Sequence, residues 1–144
     1  MDSLIFLAVV SSLLTMSTVR AALDQSEYNP KLLKLVDMLH SICKEKSGTD
    51  EDSINKVIDG KFTDEPKIKK YMTCGLIEVG VMDEKGIIDY DLTAELLPEK
   101  ILDESLADIR KCDTESMGIA NLDDKVFAMI KCYHDQNPDR FIFF

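Results

Sequence analysis

From residue 29 onward, apolar positions recur at helical spacing almost without a break. Leu32, Leu35, Val36, Leu39, Ile42 and Cys43 mark one face of a first helix, because side chains three and four apart stack on the same side. Asn29-Pro30 opens it, with Asn as the cap and Pro at the first helical position, and Gly48 closes it. A second helix is expected from Thr49, where Asp50, Glu51 and Asp52 fill the first turn and favour the positive end of the helix dipole. Ile54, Val57 and Ile58 form its buried face, and Gly60 stops it. Pro66 opens a third, carrying Ile68, Tyr71, Met72, Leu76 and Val79 up to Gly80.

The stretch 81–91 interrupts this rhythm, alternates weakly around Gly86 and reads as a loop or short turn. Residues 93–97 form a short fourth helix, and Pro98 starts a fifth with Ile101, Leu102, Ser105, Leu106, Ile109 and Cys112 on one face. Asn121 caps the sixth, in which Leu122, Val126, Phe127, Ile130 and Tyr133 recur until Pro138 ends it. Four of the six glycines fall where the periodicity stops, so stop signals and pattern agree on an all-α chain. The closing run Phe141-Ile142-Phe143-Phe144 is too apolar to be left in water, and is expected to fold back onto the body or to cap a cavity.

Ahead of these helices, residues 4–16 form an apolar run short for a membrane span and suited to a secretory leader. Val19 and Ala21 supply the small residues of a cleavage site, so residues 1–21 are expected to be a signal peptide and 22–144 the mature domain. Removing Asp2 and Arg20 together leaves the net charge of −10 unchanged. Such an acidic chain lacks the basic surface that phosphates demand, so nucleic acid is not an expected partner, and anionic membrane surfaces are disfavoured for the same reason. The expected location is extracellular.

No catalytic arrangement can be assembled. The chain has no G-x-S-x-G, H-E-x-x-H or phosphate-cradling glycine loop, and only two histidines, His40 and His134, both read as structural or surface residues. A calcium loop centred on Gly60 would put Pro66 where the bidentate Glu belongs, so no metal or other cofactor is expected and the chain is not read as an enzyme. In an oxidising compartment, Cys43, Cys74, Cys112 and Cys132 instead form a disulfide framework, for which three pairings are open.

A leader, an acidic body of six helices and cysteines spaced in this way resemble the insect odorant-binding proteins. That family has six cysteines, three residues separating the second from the third and eight the fifth from the sixth. Counting back from Cys74 and Cys132 puts the second and fifth family positions at Lys70 and Asp123, so the four cysteines occupy the first, third, fourth and sixth. Both absences belong to one bridge, as in the four-cysteine "minus-C" subgroup. The resemblance implies pairing Cys43–Cys74 and Cys112–Cys132, and sets Lys70 opposite Asp123, where an ion pair between helices three and six could stand in for the bridge. It further implies a compact, disulfide-stapled six-helix domain enclosing an apolar cavity, and reversible carriage of small hydrophobic molecules such as odorants or pheromones.

For such a cavity the helix faces suggest Leu39, Met72, Leu76, Val79, Ile88, Leu96, Ile109, Phe127, Ile130 and Ile142 as lining, with the hydroxyls of Tyr71 and Tyr133 available to an alcohol, ester or aldehyde oxygen. Burial at about 25 cal/mol per Å2 would give micromolar affinity for a molecule of roughly ten to fifteen carbons. Phe141–Phe144 would be a wall or lid. The expected partners are a small hydrophobic ligand and, downstream, a membrane receptor, with the chain a monomer or weak homodimer. Two alternatives stand: a non-olfactory lipophile scavenger of the same fold, and a secreted helical module that binds a protein through an apolar face.

Overall fold

The computed structural model describes residues 22–144, so the expected signal peptide lies outside the described residues. Six α-helices follow one another: α1 Pro30–Ser47, α2 Glu51–Ile58, α3 Pro66–Val79, α4 Tyr90–Leu96, α5 Leu102–Ser116 and α6 Leu122–Gln136. Single turns of 3-10 helix at Gln25–Glu27, Glu99–Ile101 and Pro138–Arg140 join or flank them.

The caps are those the sequence announces. The Asn29 side chain accepts from the Lys31 N–H ahead of Pro30, and Asn121 accepts from the Asp124 N–H. Three starts differ from the periodic reading. The second helix begins two residues later than Thr49, at Glu51, because Asp50 serves as its cap and accepts from the Ser53 N–H. The fourth begins earlier, at Tyr90, because Asp89 takes that role for the Leu92 N–H. Pro98 opens only a 3-10 turn before α5, and Leu97 ahead of it is extended, as the residue before a proline prefers.

Helix α3 packs against α1 on one side and α6 on the other, and α6 packs in turn against α5. Disulfides join Cys43 to Cys74 (α1 to α3) and Cys112 to Cys132 (α5 to α6), each with Cα atoms 5.6 Å apart. On a chain-entropy account each stabilises the fold by roughly 3–4 kcal/mol. The α3–α6 contact has an ion pair instead, but not between Lys70 and Asp123. Lys69 lies 2.7 Å from Asp124, pairs also with Asp64, and sets its ammonium 5.2 Å from the centre of the Phe127 ring. Among the described residues no ion pair joins Lys70 to Asp123. Lys70 is exposed, whereas Lys69, about 100° around the helix from it, holds its ammonium over the Phe127 ring and beside the next carboxylate.

The loop 81–89 doubles back through a single antiparallel bridge between Met82 and Ile88, with Asp83 accepting from the Lys85 and Ile87 N–H groups. Lys125 donates to the Gly86 carbonyl at 2.7 Å and so ties the loop to α6. After α2, Gly60 adopts φ +77°, and a Cβ there would come within 2.7 Å of the His134 ring. That close approach admits His134 to the interior, where it packs edge-on to Phe62 and Phe141 with centroids 5.2 and 5.0 Å away.

The interior divides into two apolar clusters. One gathers Cys43, Ile54, Val57, Ile68, Tyr71, Met72, Cys112, Val126, Tyr133, Phe141 and Phe143. The other gathers Tyr28, Leu32, Val36, Val81 and Leu96, with Ile142 and Phe144 packed on it. The segment 141–144 therefore threads between them, alternate side chains pointing to opposite sides as in any extended chain.

Candidate ligand-binding cavity

Where the two clusters fail to merge, an apolar cavity of about 160 Å3 remains. Helix α3 presents Tyr71, Met72, Gly75, Leu76 and Val79 to it, and α6 presents Met129, Ile130 and Tyr133. Leu32 of α1, Ile109 of α5, Val81 and Ile88 of the loop, and Thr93, Leu96 and Leu97 at α4 complete the helical walls. Ile142, Phe143 and Phe144 form the remaining side. Of the expected lining, Met72, Leu76, Val79, Ile88, Leu96, Ile109, Ile130 and Ile142 lie on this wall; Leu39 and Phe127 do not. Leu39 is buried two turns beyond Leu32, roughly 10 Å further along the helix axis. Phe127 sits on the flank of α6, edge-on to Phe62 at 6.0 Å and under Lys69.

The volume suits a molecule about the size of one benzene ring, which fits an apolar void of ~150 Å3. Ligands of ten carbons or more would require the walls to part. Gly75 contributes to this space by what it lacks: a Cβ built there meets nothing within 4 Å. A glycine in mid-helix costs about 0.5–1 kcal/mol relative to alanine, so its presence at this wall is a sacrifice of stability for volume.

The segment 140–144 is held by its backbone oxygens. Leu23 N–H donates to Phe141 O at 2.7 Å, Tyr28 Oη to Phe143 O at 3.0 Å, Tyr71 Oη to Phe144 O, and Tyr133 Oη to Arg140 O at 3.0 Å. Arg140 in turn donates to Glu104 at 2.9 Å and to Asp108 at 2.6 Å on α5. Phe141 is fully buried between Phe62, Tyr133, His134 and Phe143, so the segment is part of the core as well as of the wall. Burial pushes the hydroxyls of Tyr71 and Tyr133 above the ordinary phenol value and that of Tyr28 up to about 12, so all three keep their protons at physiological pH. The hydroxyls of Tyr71 and Tyr133, expected to serve a ligand oxygen, are thus already engaged with the backbone.

Six helices in this order, two bridges and an apolar cavity define the fold class, and comparison with known proteins gives its family. Residues 25–136 match the PBP/GOBP family, and the chain belongs to it. It is 28% identical over 108 residues to general odorant-binding protein 69a of Drosophila melanogaster, covering 74% of this chain and 72% of that one. It is 27% identical to the B1 protein of Tenebrio molitor over 135 residues, 92% and 96% of the two chains. Among solved structures, an odorant-binding protein of Locusta migratoria superposes with a TM-score of 0.68 at 16% identity, over 77% of this chain and 85% of that one. Odorant-binding protein 7 of Anopheles gambiae, with four disulfide bridges and an azo compound bound, gives 0.63 at 22% identity, over 76% and 88%. The family is one of carriers rather than enzymes, and two bridges from four cysteines fit its minus-C type.

Proposed function

We propose that this chain is a secreted carrier that takes small hydrophobic molecules reversibly into the cavity between its two apolar clusters. The observation that carries the reading is the cavity itself: among the described residues the interior leaves an apolar space between its two clusters, and nearly all of what lines it is apolar. A helical module built to grip a protein partner would instead fill its core and expose an apolar face. The apolar leader at residues 4–16 supports secretion, and among the described residues no helix is long and apolar enough to cross a membrane. In this reading residues 1–21 are removed, Phe141–Phe144 act as a wall, a membrane receptor is a downstream partner, and the chain works as a monomer or weak homodimer. Met72 and Met129 on the wall would let it reshape around different ligands.

The test is binding of toluene, a probe of the cavity's size, to the wild type and to Gly75→Leu. Titration calorimetry should find saturable binding to the wild type that is lost when the new side chain occupies the space. A wild type that binds no toluene, or a Gly75→Leu variant that binds it undiminished, would overturn the assignment. Deleting residues 139–144 is a poorer test, since it takes Phe141 out of the core along with the wall.

A further inference from the structure

Three of the residues that line the cavity, Tyr71, Thr93 and Tyr133, carry a side-chain hydroxyl, and each has one proton to give. Thr93 Oγ1 gives its proton to Asp89 O at 2.6 Å, one turn back along α4. Tyr133 gives its own to Arg140 O. Tyr71 donates to Phe144 O, and its oxygen also lies 3.0 Å from His40 Nδ1. If that nitrogen carries a proton, it donates to the Tyr71 oxygen; if it does not, it competes with Phe144 O for the single Tyr71 proton. In either tautomer no proton is left over. Among the described residues, the other side chains on the wall carry no N–H or O–H at all.

What these hydroxyls can still offer is oxygen lone pairs. An ether, ester or aldehyde oxygen entering the cavity gives up its bond from water and finds the proton of every lining hydroxyl already given, while the buried, unpartnered hydroxyl of Ser105 lies beside Tyr133 and off the wall. An alcohol or phenol brings its own proton and can donate it to Thr93, Tyr71 or Tyr133. We infer that the cavity discriminates by ligand donor, favouring small alcohols and phenols over acceptor-only molecules of the same size. This rests on the carrier reading and adds the chemical class of the cargo. It also reverses the simpler expectation that the tyrosines serve as donors to any oxygenated ligand.

Two isomers isolate the effect, since 4-methylphenol and anisole contain the same atoms and only the first has a donor. Calorimetric titration of the disulfide-bonded chain with both, and with toluene as the oxygen-free reference, should find 4-methylphenol about threefold to tenfold tighter than anisole, the range of one net hydrogen bond. Thr93→Val, Tyr133→Phe and Tyr71→Phe should each be titrated with the same pair, and at least one should reduce the ratio by half or more. Toluene binding with anisole equal to or tighter than 4-methylphenol would overturn the inference and leave the carrier reading standing. A ratio unchanged in all three variants would overturn the assignment to these hydroxyls. Failure of the wild type to bind even toluene would remove the carrier reading, and this inference with it.

Discussion

Around Phe141 the interior is filled: Phe62, Tyr133, His134 and Phe143 place their ring centroids 5.0 to 6.1 Å from its own. One residue further on, at Ile142, the facing walls draw apart and leave about 160 Å3. Both regions are apolar, and both use the same helices, α3 and α6. The difference lies in side-chain reach, because long rings converge at one end while Gly75 and Thr93 hold the other open. It also lies in support, since Cys43 and Cys112 are both buried in the filled cluster. A void in a close-packed interior forfeits dispersion contacts and tends to collapse. A filled and cross-linked neighbour opposes that collapse.

The strongest blow to this contrast is Phe141→Ala, which digs a hole on the filled side. It should destabilise the protein by about 3–5 kcal/mol, read from urea midpoints, as for other fully buried aromatic truncations. Replacing Cys112 and Cys132 by alanine should cost about 3 kcal/mol and lower the thermal midpoint, because a bridge spanning 20 residues no longer restricts the unfolded chain. On the open side the sign should invert. Gly75→Ala should stabilise by about 0.5–1 kcal/mol while weakening toluene binding; a loss of stability there would mean that the space is not free. Smallest is Lys69→Ala, at about 0–1 kcal/mol, since both of its carboxylate partners are half or more exposed. That effect should shrink further in high salt.

The same contrast explains which parts of the molecule were legible in its sequence. Helix order, caps and the apolar stripes could be read because Asn29-Pro30, Pro66, Asn121 and the terminating glycines act locally. The disulfide pairing was not local and came only through the family resemblance. Periodicity identifies a buried face without saying what that face is buried against. Leu39 and Phe127 look like Leu76 and Ile130 in such a reading, yet one lies too far along α1 and the other belongs to the Phe62 contact. Residues that open the cavity rather than fill it escaped: Gly75 has no side chain to fall in a stripe, and Thr93 is polar. A gap in the apolar face of α3 between Met72 and Leu76 was the available signal. The displaced ion pair, Lys69–Asp124 in place of Lys70–Asp123, shows the same limit at one-residue resolution, because cysteine positions specify backbone proximity and not where a long lysine stem comes to rest.

The hydrogen bonds to residues 140–144 have a temporal consequence. Leu23, Tyr28, Tyr71 and Tyr133 all donate to backbone oxygens of residues that a ribosome adds after the donors. All four cysteines likewise precede the segment that closes the cavity. The pocket is therefore closed by a segment made after all of its other walls, and until Phe141 enters the core an apolar compound would meet it as an open cleft.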